Sequence, residues 1–458
     1  MAMAAAWVAM GTRVRFPPAP SSSCAAARRP GTASTRGAAV CGAAASGRDA
    51  AAAKRFAAEV NPLVAGLRPS ATVAMTDRAR ELKEAGEDVI GLSAGEPDFD
   101  TPEPIARAGQ QAIADGFTRY SPNNGTAALR RAVVDKLARD NGLEYTADEV
   151  VLSNGAKQSV SQAVLAFCGP GDEVIVPTPY WVSYPEMVAL SGAESVILPT
   201  SMDDGFKVTA ARLEAALTPR SRMLILCSPS NPSGAVYSEE ELGAIASVVA
   251  AHPRLLVLSD EIYERIVYPP AVHVSIAGFP GMWERTLLVN GFSKAYAMTG
   301  WRLGYLAAPK PLAAVCNRLQ SQTTSGASSI AQQAALAAFG PDTEALVVDM
   351  VHAFERRRDY VVARLRSMPG VRMDVVPDGA FYALPDISTV FGKARPDTGT
   401  TLRNSNDLAM YLLEDAKLAL VPGGAFGNDD CIRISYAAAD DVLKAALDRM
   451  EAALAKLT

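Results

Sequence analysis

From Thr101 onward, short runs of Val, Ile and Leu alternate with longer segments whose apolar residues recur every three or four positions. The short runs predict buried strands, and the longer segments predict amphipathic helices. The predicted strands lie at residues 149–152, 173–176, 195–198, 223–227, 255–259, 286–290 and 303–307. Because strands joined through helices usually pair in parallel, the pattern predicts an α/β fold around a seven-stranded, mainly parallel sheet.

Outside this alternation, the pattern predicts an amphipathic helix at 75–85, a strand at 89–92, a long charged helix from about 353, and strands at 371–376 and 381–384. The three consecutive arginines at 356–358 are interpreted as a solvated helix face rather than a phosphate site. The predicted division of the chain is 1–55 as leader and linker, 56–100 as a segment joining a small domain, 101–345 as a large domain and 346–458 as the small C-terminal α/β domain.

The composition of residues 1–48 differs from that of the rest of the chain. This segment has six Arg, no Asp, Glu or Lys, and much Ala, Ser, Gly and Pro, which is typical of a transit peptide. Its apolar start is followed at once by Arg13 and Arg15, and this disfavours a secretory signal. An untargeted low-complexity tail is the alternative interpretation.

Charge and composition exclude several classes of partner. The formal net charge of −5 includes the six leader arginines, so the rest of the chain carries 38 basic against 49 acidic side chains. Without a basic run interleaved with aromatics, nucleic acid is not an expected partner, and without a long apolar stretch, neither is a membrane. The Cys and His residues outside the leader have no metal-ligand spacing, so no metal is expected.

Polar residues follow two of the predicted strands at the point where each strand ends. Asp260 and Tyr263 end the strand at 255–259, and Lys294 follows the strand at 286–290. Ligands of α/β sheets bind at the carboxyl ends of strands. A lysine beside apolar neighbours there can have its pKa lowered by desolvation, which makes it a base and nucleophile near neutral pH.

Four stretches together carry a family resemblance: Asn231 in SPSNPSG, Asp260 in SDEIY, Lys294 in GFSKAY, and Arg302 eight residues after the lysine. They resemble the class I aminotransferases of the fold type I pyridoxal-phosphate superfamily, and the resemblance extends from about Pro62 to the C-terminus. It implies pyridoxal 5'-phosphate as cofactor, with Lys294 as its covalent attachment site and catalytic base. Asp260 would keep the pyridine nitrogen protonated, so that the ring acts as an electron sink.

The resemblance also assigns the groups around the cofactor ring. Asn231 and Tyr263 would hydrogen-bond its phenolic oxygen, and Tyr263 would count among the catalytic residues with Lys294 and Asp260. Trp181 in PYWVSYP would stack on the ring.

For the phosphate, the resemblance implies the backbone amides of Gly155, Ala156 and Lys157 at a helix start, together with the charge of Arg302. Tyr120 in RYSPNNG would reach the phosphate of a neighbouring subunit, which implies a homodimer with shared sites. Many relatives place a phosphate-binding serine three residues before the lysine. This chain has Gly291 there, so the resemblance assigns no role to Ser293.

At the substrate end, Arg433 in CIRISYA would bind the α-carboxylate as a bidentate fork, and the backbone of Gly95 in SAGEPDFD would close over it. Trp181 and Asn231 would also contact the substrate.

Within the family, the stretches ATVAMTD, SNGAKQS and GFSKAYAMTGWRLGY resemble the bacterial-type aspartate aminotransferases, where the lysine of the GAKQ segment contacts the distal carboxylate. Here that lysine is Lys157, and the hydroxyl of Thr72 is a second candidate donor. Similarity within this subgroup to plastid-located plant and algal enzymes implies a chloroplast location.

The implied reaction is ping-pong transamination of small amino and keto acids: aspartate with 2-oxoglutarate, and prephenate to arogenate with glutamate or aspartate as donor. Two alternatives stay open, an aspartate aminotransferase without prephenate activity and a lyase or synthase of the same fold. A regulator without catalysis would be expected to lack Lys294, and a nicotinamide dehydrogenase would need a GxGxxG segment, which does not occur.

Overall fold

The predicted seven-stranded sheet is confirmed in the computed structural model, which describes residues 60–458. Its strand order is β2-β8-β7-β6-β5-β3-β4, and all neighbours are parallel except β8, which runs antiparallel to both β2 and β7. The strands are β1 Ile90–Gly91, β2 Val150–Ser153, β3 Glu173–Pro177, β4 Glu194–Leu198, β5 Ser221–Cys227, β6 Leu256–Asp260, β7 Thr286–Gly291, β8 Gly304–Ala307, β9 Tyr382–Ala383, β10 Leu418–Ala419, β11 Val421–Pro422 and β12 Ile432–Ser435.

Helices connect and cover these strands. They are α1 Pro62–Ala65, α2 Ala71–Glu84, α3 Glu103–Ala114, α4 Ala127–Asn141, α5 Ala156–Phe167, α6 Ser183–Ser191, α7 Ala210–Ala216, α8 Glu239–Ala250, α9 Lys310–Thr323, α10 Ser329–Ala334, α11 Pro341–Ser367, α12 Ser405–Asp415 and α13 Asp440–Leu454. None of the helices within 60–458 combines the length and apolar character needed to span a bilayer.

The apolar runs form central strands because helices pack on both faces of the sheet. Every residue of β2, β6 and β7 is buried, which explains why these strands read as continuous apolar runs rather than as alternating ones. Local signals set the helix bounds: Thr126 caps α4 and Gly142 ends it in the left-handed conformation, while Ser238 and Glu241 form a capping box at the start of α8.

A second core joins the N-terminal part of the described chain to its C-terminal part. It includes residues of α2, α11, α12 and α13 around the antiparallel sheet β11-β12-β9 and the parallel pair β1–β10. Val89 and Leu92 pack in this same core. The domain division at 56–100, 101–345 and 346–458 stays a prediction, and the leader lies outside the described residues.

The strand predicted at 371–376 is wrong. Only Arg372 makes an isolated bridge there, with Asp386. The carbonyl of Met373 accepts from the Arg366 guanidinium at 2.8 Å, and the amide of Asp374 donates to the Met202 sulfur at 3.4 Å. These backbone groups are hydrogen-bonded to side chains, so they are not paired with a neighbouring strand.

The solvated helix face predicted for the three arginines is also wrong for two of them. Arg356 is exposed, but Arg357 and Arg358 are each only 8% exposed. Arg357 pairs with Asp98 at 2.8 Å, and Arg358 lies over the Tyr268 ring at 4.6 Å. An i, i+1, i+2 run must place its members on different faces of a helix, and here two of them point inward.

Candidate active site

The topology brings the polar strand ends to one edge of the sheet. Strands β5, β6 and β7 are parallel, and β2 has the same direction because β8 is antiparallel to both β2 and β7. At this edge lies a cavity of about 280 Å³. Its lining includes the predicted residues Thr72, Gly95, Ala156, Lys157, Trp181, Asn231, Asp260, Tyr263, Lys294, Arg302 and Arg433.

Lys294 reaches this cavity from the turn that follows β7, and its ammonium group donates a hydrogen bond to the Gly95 carbonyl. Burial lowers the pKa of Lys294 from 10.5 to about 8, and the nearby guanidinium groups of Arg433 and Arg302 act in the same direction. A substantial fraction of the amine is therefore neutral near physiological pH. This is the condition for a lysine that acts as nucleophile and base.

Asp260 ends β6 and is buried. Its Oδ2 accepts a hydrogen bond of 2.6 Å from the Tyr184 hydroxyl, and its Oδ1 accepts one of 3.3 Å from the Ile262 amide. Burial raises its pKa to about 6, and these two donors offset part of the increase. Above that pH the side chain is a carboxylate facing the cavity, suited to a cationic ring nitrogen.

Arg433 on β12 is a buried cation, 1% exposed. Its NH1 donates to the Asn231 side-chain oxygen at 3.0 Å and its NH2 to the Ser93 carbonyl at 2.6 Å. Its Nε has no partner, and no carboxylate within 60–458 forms a salt bridge with it. Since a buried charge normally has a counterion, this guanidinium is arranged to receive an anion from outside the chain.

Two tyrosines connect Arg433 to the rest of the cavity. The Tyr263 and Tyr382 hydroxyls lie 2.8 Å apart, and the Arg433 guanidinium lies over the Tyr382 ring at 4.6 Å. A side chain at Gly95 would collide with the Tyr382 hydroxyl, because an added Cβ would lie 2.8 Å from it. Only glycine allows this backbone to approach the tyrosine so closely.

A second cationic region lies where β2 passes into α5. Gly155 has a φ of +91°, and an added Cβ would lie 2.3 Å from an Arg302 nitrogen. Arg302 itself adopts a φ of 54°, and within 60–458 its guanidinium donates only to the carbonyls of Thr299 and Asn154. The N-terminal amides of a helix together with this guanidinium form a site for a doubly charged anion such as a phosphate monoester.

At the open side of the cavity, the Lys157 ammonium lies 5.3 Å from the centre of the Trp181 ring. Desolvation and the neighbouring Arg302 lower the pKa of Lys157. Thr72, in the first turn of α2, lines the same space.

The sequence pattern of the family described as aminotransferase class I and II matches residues 87–450. The chain belongs to this family. A bifunctional aspartate aminotransferase and glutamate/aspartate-prephenate aminotransferase from Petunia hybrida is 57% identical over 86% of this chain and 82% of the relative. An aspartate aminotransferase from Pinus pinaster is 56% identical over 86% of this chain and 80% of that relative. Among solved structures, the aspartate aminotransferase from Rhizobium meliloti superposes with a TM-score of 0.83 at 43% identity, covering 87% of this chain and all of that one.

The cofactor of this aminotransferase is pyridoxal 5'-phosphate, and the cavity fits it. The cationic turn at Gly155 and Arg302 suits the phosphate, the Asp260 carboxylate suits the ring nitrogen, and the amine of Lys294 suits the aldehyde. The donors Tyr263 and Asn231 line the same cavity. The charges of these side chains therefore match those of the phosphate at one end of the cofactor and of the ring nitrogen at the other. The fold type I architecture is the same as that of the solved relative from Rhizobium meliloti.

Tyr120 and Ser293 of the aminotransferase lie in different surroundings. Tyr120 does not line the cavity and is fully exposed, and its contact with another subunit stays a prediction. Ser293 is 7% exposed and lines the cavity beside Lys294.

Among the cavity residues of the aminotransferase that sequence reasoning missed are Tyr184, Cys227 and Tyr382. Tyr184 follows Trp181 by three positions at the start of α6, and Cys227 is the register partner of Asp260 on the adjacent strand. The one-turn spacing from Trp181 was the available signal for Tyr184. Tyr382 comes from a distant part of the chain.

The lowered pKa of Lys294 predicts its chemical reactivity. In the cofactor-free protein, acetic anhydride labelling of Lys294 should reach half its maximum near pH 8, because only the neutral amine reacts and the pKa lies below 10.5. Exposed Lys444, whose pKa is raised by Asp448, should label half-maximally above pH 10.5. Mass spectrometry of both peptides against pH measures this. A Lys294 curve that coincides with the Lys444 curve would contradict the desolvation argument.

Proposed function

We propose that this aminotransferase acts on dicarboxylic amino acids, exchanging the amino group of aspartate with 2-oxoglutarate and converting prephenate to arogenate with glutamate or aspartate as donor. The observation that carries the proposal is the arrangement of cations in the cavity. Arg433 is buried without a carboxylate partner within 60–458, and Lys157 lies at the open side of the same cavity. Two separate cations favour a substrate with two carboxylates.

Different residues of the cavity have different roles in the reaction. When bound, pyridoxal phosphate supplies an electron sink for the electrons left when the substrate α-carbon loses its proton. The Nζ of Lys294 accepts that proton and returns it later in the reaction, so one residue serves as base and acid. The carboxylate of Asp260 would hold the ring nitrogen in its protonated form. Tyr263 and Asn231, which line the same cavity, would donate hydrogen bonds to the ring oxygen.

Arg433 orients the substrate through its α-carboxylate. Its guanidinium is already held by Asn231, the Ser93 carbonyl and the Tyr382 ring, so little side-chain freedom is lost on binding. The Gly95 backbone, which the Lys294 ammonium contacts, closes the same end of the cavity. Trp181, which lines the cavity, would cover the face of the cofactor ring.

The distal carboxylate is assigned to Lys157, with Thr72 as a second donor. Lys157→Val should lower kcat/KM for aspartate and prephenate by about 10- to 100-fold, the range expected for a hydrogen bond to a charged group. Activity with alanine, which has no distal carboxylate, should change less than about threefold, because the α-carboxylate contact is untouched.

The matched control is Lys310→Val, which removes an exposed lysine paired with Asp148 outside the cavity. It should leave all three substrates unaffected. Steady-state kinetics on each variant measures the selectivity. Equal losses on alanine and aspartate would show that Lys157 does not recognise the distal carboxylate.

The narrower alternative is an enzyme that uses aspartate but not prephenate. The relatives from Petunia and Pinus have names that differ on this point, although they are nearly equally similar to this chain, at 57% and 56% identity. The exposure of Lys157 beside Trp181 supports the broader assignment, because prephenate has its two carboxylates at the same spacing as 2-oxoglutarate but carries a ring on the carbon that bears the distal carboxylate, and that ring needs additional space beside the lysine.

Two further assignments complete the proposal. The enzyme is a homodimer in which Tyr120 reaches the partner's phosphate site, supported by the full exposure of this aromatic side chain beside a polar loop. The leader directs the protein to the chloroplast stroma, supported by the Arg-rich, acid-free composition of residues 1–48.

A further inference from the structure

Tyr184 lines the cavity and also hydrogen-bonds to the buried carboxylate of Asp260. It lies in the first turn of α6 and is 2% exposed. Its hydroxyl donates the 2.6 Å hydrogen bond to Asp260 Oδ2, which is the shorter of the two hydrogen bonds that this carboxylate accepts. Asp260 forms no salt bridge with any residue of 60–458, so Tyr184 is its closest side-chain donor.

The proton of this hydrogen bond belongs to the tyrosine. Burial and the adjacent Asp260 raise the pKa of Tyr184 well above 10. The neighbouring thiol of Cys227 has its pKa raised to about 12 by burial, so it stays neutral. The contact therefore consists of a neutral donor on a carboxylate, a charge-assisted hydrogen bond that favours the ionised form of the acid.

The ring of Tyr184 makes a second contact. It packs against Trp181 in an edge-to-face arrangement, with centroids 5.4 Å apart and an angle of 84° between the ring planes. This geometry is favourable for aromatic pairs and restricts the rotation of both rings. One side chain thus contacts both the acid assigned to the ring nitrogen and the indole assigned to the ring face.

We propose that Tyr184 is a positioning residue that fixes the Asp260 carboxylate and the Trp181 plane for the pyridine ring of the cofactor. The proposal rests on the roles proposed above for Asp260 and Trp181. It assigns to the tyrosine hydroxyl a specific task, orientation of the carboxylate towards a ring nitrogen. This task separates it from a packing role, which the phenyl ring alone would fulfil.

The test compares Tyr184→Phe with the unaltered protein in the binding of two ligands. One is pyridoxal 5'-phosphate, and the other is its carbocyclic analogue, in which C–H replaces the ring nitrogen. The variant should bind pyridoxal phosphate about tenfold more weakly, the size expected for a hydrogen bond to a charged group. Its affinity for the analogue should change less than about twofold, because the analogue has no nitrogen for Asp260 to meet.

Equal losses on both ligands, or no loss on either, would overturn the proposal in favour of a packing role. A double-mutant cycle gives a second readout: in the Asp260→Asn background the effect of Tyr184→Phe should disappear. Tyr411→Phe is the matched control, since its buried hydroxyl donates at 2.9 Å to the Ala453 carbonyl, away from the cavity, and it should change neither affinity.

The same titrations separate this proposal from the proposed function. If the unaltered protein binds pyridoxal phosphate without developing an absorption band in the visible range, the assignment of Lys294 fails, whatever Tyr184 does. If that band forms and bleaches with aspartate but Tyr184→Phe binds the cofactor as tightly as the unaltered protein, only the role of Tyr184 fails.

Discussion

Replacement of Lys294 by alanine should lower kcat by about 10⁴-fold or more, because the variant loses its proton-transferring base and its covalent attachment to the cofactor together. The protein should still fold, since the side chain faces the cavity and its one hydrogen bond to a described residue is to the Gly95 carbonyl. It should also bind pyridoxal phosphate noncovalently through Arg302, Asp260 and the start of α5. Stopped-flow kinetics and equilibrium dialysis measure both properties.

Lys444→Ala is the control for Lys294→Ala. It removes an exposed lysine on α13 that pairs only with Asp448, so its kcat should equal that of the unaltered enzyme. Transamination by Lys294→Ala at more than about one hundredth of the normal rate would contradict the assignment, since general acid–base catalysis alone contributes 10²- to 10⁴-fold.

Arg433→Lys should lower kcat/KM for aspartate by about 10²- to 10³-fold even though the charge is kept. A lysine ammonium cannot form the planar, bidentate contact with a carboxylate, and it would leave the Asn231 oxygen or the Ser93 carbonyl without its present donor. The loss should appear chiefly as a higher KM for every amino acid, including alanine, because all substrates have the α-carboxylate.

The control for this variant is Arg358→Lys, another buried arginine over a tyrosine ring, but one outside the cavity. It should lower the melting temperature without raising KM. A KM for alanine that is unchanged in Arg433→Lys would show that the guanidinium binds some other group of the substrate.

The site residues that follow the ends of predicted strands could be identified from the sequence. Asp260 and Lys294 follow strands that read as apolar runs, and parallel order alone places such ends at one edge of a sheet. The strand β8 was predicted, but its antiparallel direction was not visible in the pattern, because a strand buried on both faces reads the same in either direction. This direction nevertheless positions Arg302, which lies two residues before the first residue of β8, at the same edge of the sheet.

The remaining parts of the site depend on tertiary contacts that no local pattern contains. Tyr382 reaches Arg433 and Tyr263 from a two-residue strand. Arg357 was misread because the pairing of its guanidinium with Asp98 joins residues 259 positions apart. In each case a buried polar group interacts with a partner that is distant in sequence. The periodicity of apolar residues carries no information about such partners.

The most direct measurement of the central claim is the visible absorption spectrum of the protein loaded with pyridoxal phosphate, recorded during two successive additions. Aspartate should bleach the visible band as the amino group is transferred to the enzyme, and prephenate should then restore it as arogenate forms. Restoration by 2-oxoglutarate but not by prephenate would leave an aspartate aminotransferase without prephenate activity. A band that aspartate does not bleach would contradict transamination at this site.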